Sequence, residues 1–295
     1  MKSGFIHVKN DNKKTVFKYL LILIPFFIYG AYKNGYLLYL RNDISFLGIF
    51  KPLLLAGLST IINGLVQLFF YKKIHLNYSY LYVLITAMFV MPNINIFVYS
   101  FMLLAGLIII EVLGKGLNFN KMAFLHLLII MAMALMGKYS YGNIAEAQNI
   151  YAYSLIDYIA GRNTGGIAAT NIILGIIAYG YLTCFVIYKK SIPIISYVTY
   201  TICSLVLWFY FHLDYHIFFS SMVILAFIFV ATETESCPYT QPGMVLYAII
   251  LGVITAILSV LLPYEGVFTA ILLLSFGKNI FDRIPKKIRK LKKMP

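Results

Sequence analysis

Charge is scarce in this sequence and acid scarcer still: 12% of the residues are charged and Asp and Glu together number 10, where an ordinary soluble domain is about a quarter charged. With 61% of its 295 residues hydrophobic and a mean hydropathy of +0.85, the chain has too little polar surface to cover a water-soluble fold of this length. Cysteine is nearly missing as well. Cys184, Cys203 and Cys237 are odd in number and none shares a CxxC spacing, which argues against a disulfide framework and a zinc site. No small-residue cleavage site follows the first apolar stretch, and residues 1–16 are polar and lysine-bearing, so the first stretch is expected to stay as a span and not to be removed as a signal.

What the sequence does have is long apolar runs. Stretches long enough to cross about 30 Å of hydrocarbon as helix lie near 17–36, 47–70, 95–114, 119–137, 166–188, 192–211 and 243–262, with shorter or broken ones near 79–91, 215–232 and 265–281. All read as helix, because open strands leave backbone groups unsatisfied in lipid. The expected fold is an all-α polytopic membrane protein with about ten transmembrane helices, taken as one domain.

The formal charge of +14 does not point to nucleic acid, since no basic face is interleaved with aromatics. It points to cytoplasmic flanks. With a cytoplasmic N-terminus, Lys72 and Lys73, Lys115 and Lys121, Lys189 and Lys190, and the tail from Lys286 to Lys293 all fall inside, leaving Lys33, Arg41, Lys138 and Arg162 outside. An even number of crossings then puts both termini in the cytoplasm.

Ten spans divide into two sets of five, and an odd number per set forces the second to run inverted. The division expected is 1–16 as a cytoplasmic tail, 17–137 as a first five-helix repeat, 138–165 as an external loop, 166–283 as a second repeat and 284–295 as a basic cytoplasmic tail. Pro92 in one set, and the run Ala231-Thr-Glu-Thr-Glu-Ser-Cys-Pro-Tyr-Thr-Gln-Pro-Gly243 in the other, interrupt helices at comparable places. Broken helices at matched positions of two repeats often flank a site near the midplane.

Few residues could carry chemistry. Glu233 and Glu235 end an apolar helix, where a carboxylate without compensation is costly; they suit a cation or the edge of a cofactor, or else a solvated cytoplasmic turn. His212 and His216 share one helical face beside Asp214, a spacing for a metal or haem pair, though interfacial histidines more often cap helix ends and no haem is expected. His126 and Glu111 lie near lipid depth and could relay a proton or ion; an interhelical hydrogen bond is expected of His126. Gly161-Arg-Asn-Thr-Gly-Gly-Ile-Ala-Ala-Thr-Asn171 opens the sixth span. Free N–H groups at a helix start attract a phosphate, with Thr164 as cap, Arg162 as a bidentate contact, and Gly165, Gly166 and Thr170 alongside. The alternative use of such small residues is close packing.

Several of these stretches resemble the membrane subunit called RnfD in the Rnf complex and NqrB in the sodium-pumping NADH:quinone oxidoreductase. Ala231 to Gly243 is similar to the family's Ala-Thr-Asp-Pro-x-x-Ser-Pro-x-Thr-x-x-Gly run, with Glu233 in place of Asp, Thr234 in place of Pro and Cys237 in place of Ser. Tyr264-Glu-Gly266, Ala270-Ile-Leu-Leu273 and Asp282-Arg283 resemble its ending. Ile24 to Gly30 fits its first span, and Asn118-Phe-Asn120 fits its Asn-x-Phe-Asn-Pro site with Lys121 for the proline. Gly161 to Asn171 takes the place of its Gly-Ser-Ile-Gly-Glu-Thr-Ser motif, keeping Gly165, Ile167 and Thr170, while Ala168, Ala169 and Asn171 replace its Gly, Glu and Ser.

The resemblance implies two inverted five-helix repeats, a fold similar to urea channels, and passage of electrons across the bacterial cytoplasmic membrane coupled to sodium or proton movement, alongside other Rnf/Nqr-type subunits. It implies a flavin, FMN or riboflavin. The family's covalent FMN sits on a threonine of Ser-Gly-Ala-Thr in the external loop, and residues 138–160 contain no threonine; the flavin expected is therefore noncovalent, near Arg162, Thr164, Gly165, Gly166 and Thr170, with Asn118, Asn120, Thr232 and Glu233 as further contacts. Two other readings compete. A transporter or channel could use the same fold without redox chemistry, and an assembly factor ranks last because no extra soluble domain is present.

Overall fold

Apolar helices with greasy exteriors, packed on a largely apolar core with polar residues set into it, fill the structure, a computed structural model that describes residues 12–41, 43–114, 118–141, 155–186, 188–212 and 220–283. Among these residues every element is helical. In chain order they are α1 (Asn12–Ala31), a π turn (Tyr32–Tyr36), α2 (Leu37–Leu40), a 3-10 turn (Phe46–Phe50), α3 (Lys51–Tyr71), α4 (Ser79–Phe89), α5 (Ile96–Leu113), α6 (Lys121–Leu135), α7 (Leu155–Ala160), α8 (Ile172–Phe185), α9 (Ser191–Phe211), α10 (Ser221–Phe229), α11 (Gln241–Leu261) and α12 (Gly266–Phe276).

Five stretches are long and apolar enough to cross a membrane: Lys13–Leu40, Phe46–Tyr71, Ile96–Leu113, Ser191–Phe211 and Gln241–Leu261. Their outward faces are hydrophobic. On α1, Phe17, Leu21, Ile24 and Ile28 recur at helical spacing and all are exposed, the signature of a stripe turned to lipid. The inward faces carry the polar residues: Ser59, Asn63 and Gln67 of α3 are buried at successive turns. Shorter apolar helices α4, α6, α8 and α12 complete the bundle, and the chain is a multi-pass membrane protein.

Two helices stop inside the bundle. After its 11 residues α4 gives way to an extended stretch through Pro92, and α5 starts under the cap of Asn95, which accepts from Phe97 N at 2.9 Å. After its 9 residues α10 gives way to residues 230–240, and α11 starts under the cap of Thr240. A helix end leaves carbonyls without partners, and both ends find them in distant segments. Ile167 N donates to Val90 O at 2.7 Å and Ala168 N to Met88 O at 3.0 Å, while Asn120 Nδ2 donates to Val230 O at 2.8 Å.

The segment 163–171 is the main departure from the expected spans. It is not the first turn of a helix but a buried, non-helical stretch threaded between α1, α4 and α10. Asn34 Nδ2 donates to Ile167 O at 2.6 Å, and Lys33 in the π turn donates to Asn163 O. A Cβ on Gly166 would lie 2.7 Å from Phe89 O and 2.8 Å from its Cα, so only glycine permits this approach. Helix α8 begins at Ile172, later than 166, with Asn171 as its cap accepting from Leu174 N at 3.0 Å. Of the segment 138–165 expected outside, residues 142–154 lie outside the described residues, as does the His216 end of the histidine pair; His212 closes α9 in a left-handed conformation.

Candidate functional site

At the start of α6 the chain gathers a polar junction. Asn120 caps α6 by accepting from Ala123 N at 2.9 Å, its Nδ2 bridges Val230 O and Ser236 Oγ at 2.8 and 2.9 Å, and its own N–H donates to Ser275 Oγ at 3.0 Å. One residue, through its side chain and its own N–H, thereby joins α6, the end of α10, the 230–240 segment and α12. Asn118, two residues earlier, is exposed and takes no part.

The two glutamates of this junction divide their roles. Glu235 is exposed and pairs with Lys121 at 2.5 Å, the solvated turn that composition allows. Glu233 is 5% exposed, accepts from Lys121 N at 3.3 Å, and keeps Oε1 buried without a partner. Burial pushes its carboxyl up to about 7; the Glu235 charge adds to the rise, and the Ser236 hydroxyl and Lys121 oppose it. Thr232 turns inward to Ile228 O at 2.7 Å. Lys189 donates to Cys237 Sγ at 2.9 Å and lies over the Tyr239 ring, while Lys278 donates to Glu235 O. Asp282 accepts from Thr240 N at 2.8 Å and Thr240 Oγ1 at 2.6 Å. That carboxylate would lie 2.8 Å from a Cβ on Gly243, which is why glycine closes the run.

A second cluster lies at the opposite end of α6 and α11. Tyr139 donates to Glu265 Oε2 at 2.5 Å, Thr164 Oγ1 and Tyr264 Oη are 2.7 Å apart, and the Tyr141 and Tyr264 rings stack at 4.5 Å. His126 of α6 lies 3.9 Å from the Phe268 ring and reaches the Tyr141 hydroxyl at 3.4 Å. The expected interhelical bond of His126 is therefore replaced by a contact to the segment after its own helix. Sequence reasoning missed Glu265 as a site residue. Its signals were a carboxylate at the edge of an apolar span and the family-like Tyr264-Glu-Gly266, while Tyr139 and Tyr141 come from a remote part of the chain.

The residues expected to hold a phosphate are dispersed. Arg162 points outward, its guanidinium 3.7 Å from Asp157, and not toward the start of α8. Thr164 does not cap a helix but pairs with Tyr264. Gly166 N is taken by Met222 Sδ at 3.1 Å, and the N–H groups of Ile167, Ala168 and Ala169 by Val90, Met88 and Gly166 carbonyls. Gly165 packs against Thr170 and Met222, and Thr170 keeps a buried hydroxyl without a partner. The N–H groups of residues 166–169 are thus taken within the chain and offer a flavin phosphate no backbone donor.

Glu111, the remaining ionisable residue near lipid depth, accepts from Tyr71 of α3. Among the described residues no group of three His, Cys, Asp or Glu side chains could hold a metal ion.

No curated protein matches the chain. A family model does, over residues 1–289. That span takes in both interrupted helices, the Asn120 junction and the Glu265 cluster, and on it the chain belongs to the NQR2, RnfD, RnfE family.

Proposed function

We propose that this chain is the membrane subunit of an Rnf/Nqr-like electron transport complex in the bacterial cytoplasmic membrane, taking part in electron passage coupled to sodium or proton translocation. The family match over residues 1–289 carries the reading. The family-like run 231–243 adds support, because it is organised around a buried carboxylate at an interrupted helix, where ion sites of membrane proteins tend to lie. Its partners are other membrane and redox subunits of the complex.

The proposed arrangement is two inverted five-helix repeats, similar to urea channels, with α1, α3, α4, α5 and α6 answering to α8, α9, α10, α11 and α12. The half-length α4 and α10 hold the same place in each set. Lysine distribution supports cytoplasmic termini, which sets the Glu233 junction toward the cytoplasm and the Glu265 cluster outside.

FMN or riboflavin, bound noncovalently, is the carrier the family suggests for this subunit. The N–H groups of residues 166–169 are occupied within the chain and leave its phosphate no backbone donor there. That lack favours a second reading, a transporter or channel on the same scaffold. The deciding experiment is purification of the chain from its native membrane, with mass spectrometry and absorbance. The outcome expected is an unmodified mass together with co-purifying redox subunits. Solute flux through proteoliposomes holding this chain alone, with no redox partner recovered, would replace the first reading by the second.

A further inference from the structure

Glu265 is buried, 3% exposed, and among the described residues it has no lysine or arginine partner. A buried carboxylate without a countercharge is costly and takes up a proton or holds a cation. The groups that face it are known. Tyr139 and Tyr141 come from the segment after α6, Tyr264 from its own loop, and His126 of α6 stands behind Tyr141. No metal-ligating cluster surrounds it among the described residues.

We propose that Glu265 is a proton-binding site whose proton exchanges with the outside through Tyr139. The assignment rests on the reading of an ion-coupled subunit and names the ion class this end of the bundle handles.

Tyr139 is 40% exposed and donates to Oε2, so it connects the carboxyl to bulk water. Oε1 is buried without a partner, which suits the uncharged acid. The carboxylate is filled when Tyr139 gives its proton to Oε2 as its oxygen takes one from hydronium outside, and it is emptied by the reverse step; a hydroxyl both donates and accepts, so Tyr139 ends each passage unchanged. Burial holds the Glu265 carboxyl above the usual carboxylate range, while the Tyr139 and Tyr141 hydroxyls pull it back.

The test is infrared titration of the purified full-length chain in lipid nanodiscs, following the carboxylic-acid carbonyl band as the pH is raised. Glu233 contributes a similar band and is identified by Glu233→Gln. The expected result is a second band that survives above the ordinary carboxylate range and is lost in Glu265→Gln. Tyr139→Phe removes a hydrogen bond to the charged form and moves the midpoint of that band upward by about one pH unit. The proposal is overturned if Glu265→Gln leaves the bands unchanged, if the second band titrates in the ordinary range, if Tyr139→Phe leaves its midpoint in place, or if sodium and not pH removes it, which would make the site a sodium site. None of these readouts passes through electron transfer or partner binding, so their failure leaves the subunit reading standing.

Discussion

At the scale of single residues, the contrast between Glu233 and Glu235 has a measurable consequence. The ordinary carboxylate value is 4.5 and burial raises Glu233 to about 7, so between these values the folded chain holds a proton that the unfolded chain has released. Stability must therefore fall as pH rises through that window. Glu233→Gln removes the titration and keeps the shape. From about pH 5 to about pH 8 the wild-type unfolding free energy is expected to drop relative to the variant by about 2 kcal/mol, with its melting temperature falling in step; melting temperatures that stay parallel across that range would refute the assignment. The sequence made both glutamates conspicuous but could not rank them, because two positions separate them and the difference lies in which one turns under the start of α6. Glu265 was harder still. Its neighbours Tyr139 and Tyr141 lie far from it along the chain, and no local pattern announces their convergence.

Among the elements, hydrophobic periodicity and length were enough to place nearly every helix, and Pro92 marked the interruption after α4 correctly. The start of α8 was misplaced for a physical reason. Residues 163–170 are small and mostly uncharged, which reads as a continuing span, yet their N–H groups serve the broken end of α4 and not a helix of their own. The π turn at Tyr32–Tyr36, which buries Lys33, was likewise silent in the sequence. The identity of the cap can be checked. Asn171→Ala should cost about 1 kcal/mol and speed hydrogen exchange at Leu174, whereas Thr164→Val should leave that amide protected; equal effects from the two would restore Thr164 as the cap.

For the whole molecule, the proposed orientation predicts opposite accessibility for single cysteines introduced into a chain from which Cys184, Cys203 and Cys237 have been removed. Lys138→Cys is expected to react with an impermeant thiol reagent added to intact cells, and Lys72→Cys only after the membrane is opened. Reaction of both from the outside would break the two-set arrangement. The threading of residues 163–170 through the bundle also bears on how the protein is made. When α4 enters the membrane, the carbonyls of Met88 and Val90 have no hydrogen-bond donors, and those donors, Ile167 and Ala168, are synthesised only after α5 and α6. The first five helices thus reach lipid with an open seam that only later translation closes. A fragment ending before residue 163, or a gene cut in two between α6 and α7, leaves that seam without the donors that close it.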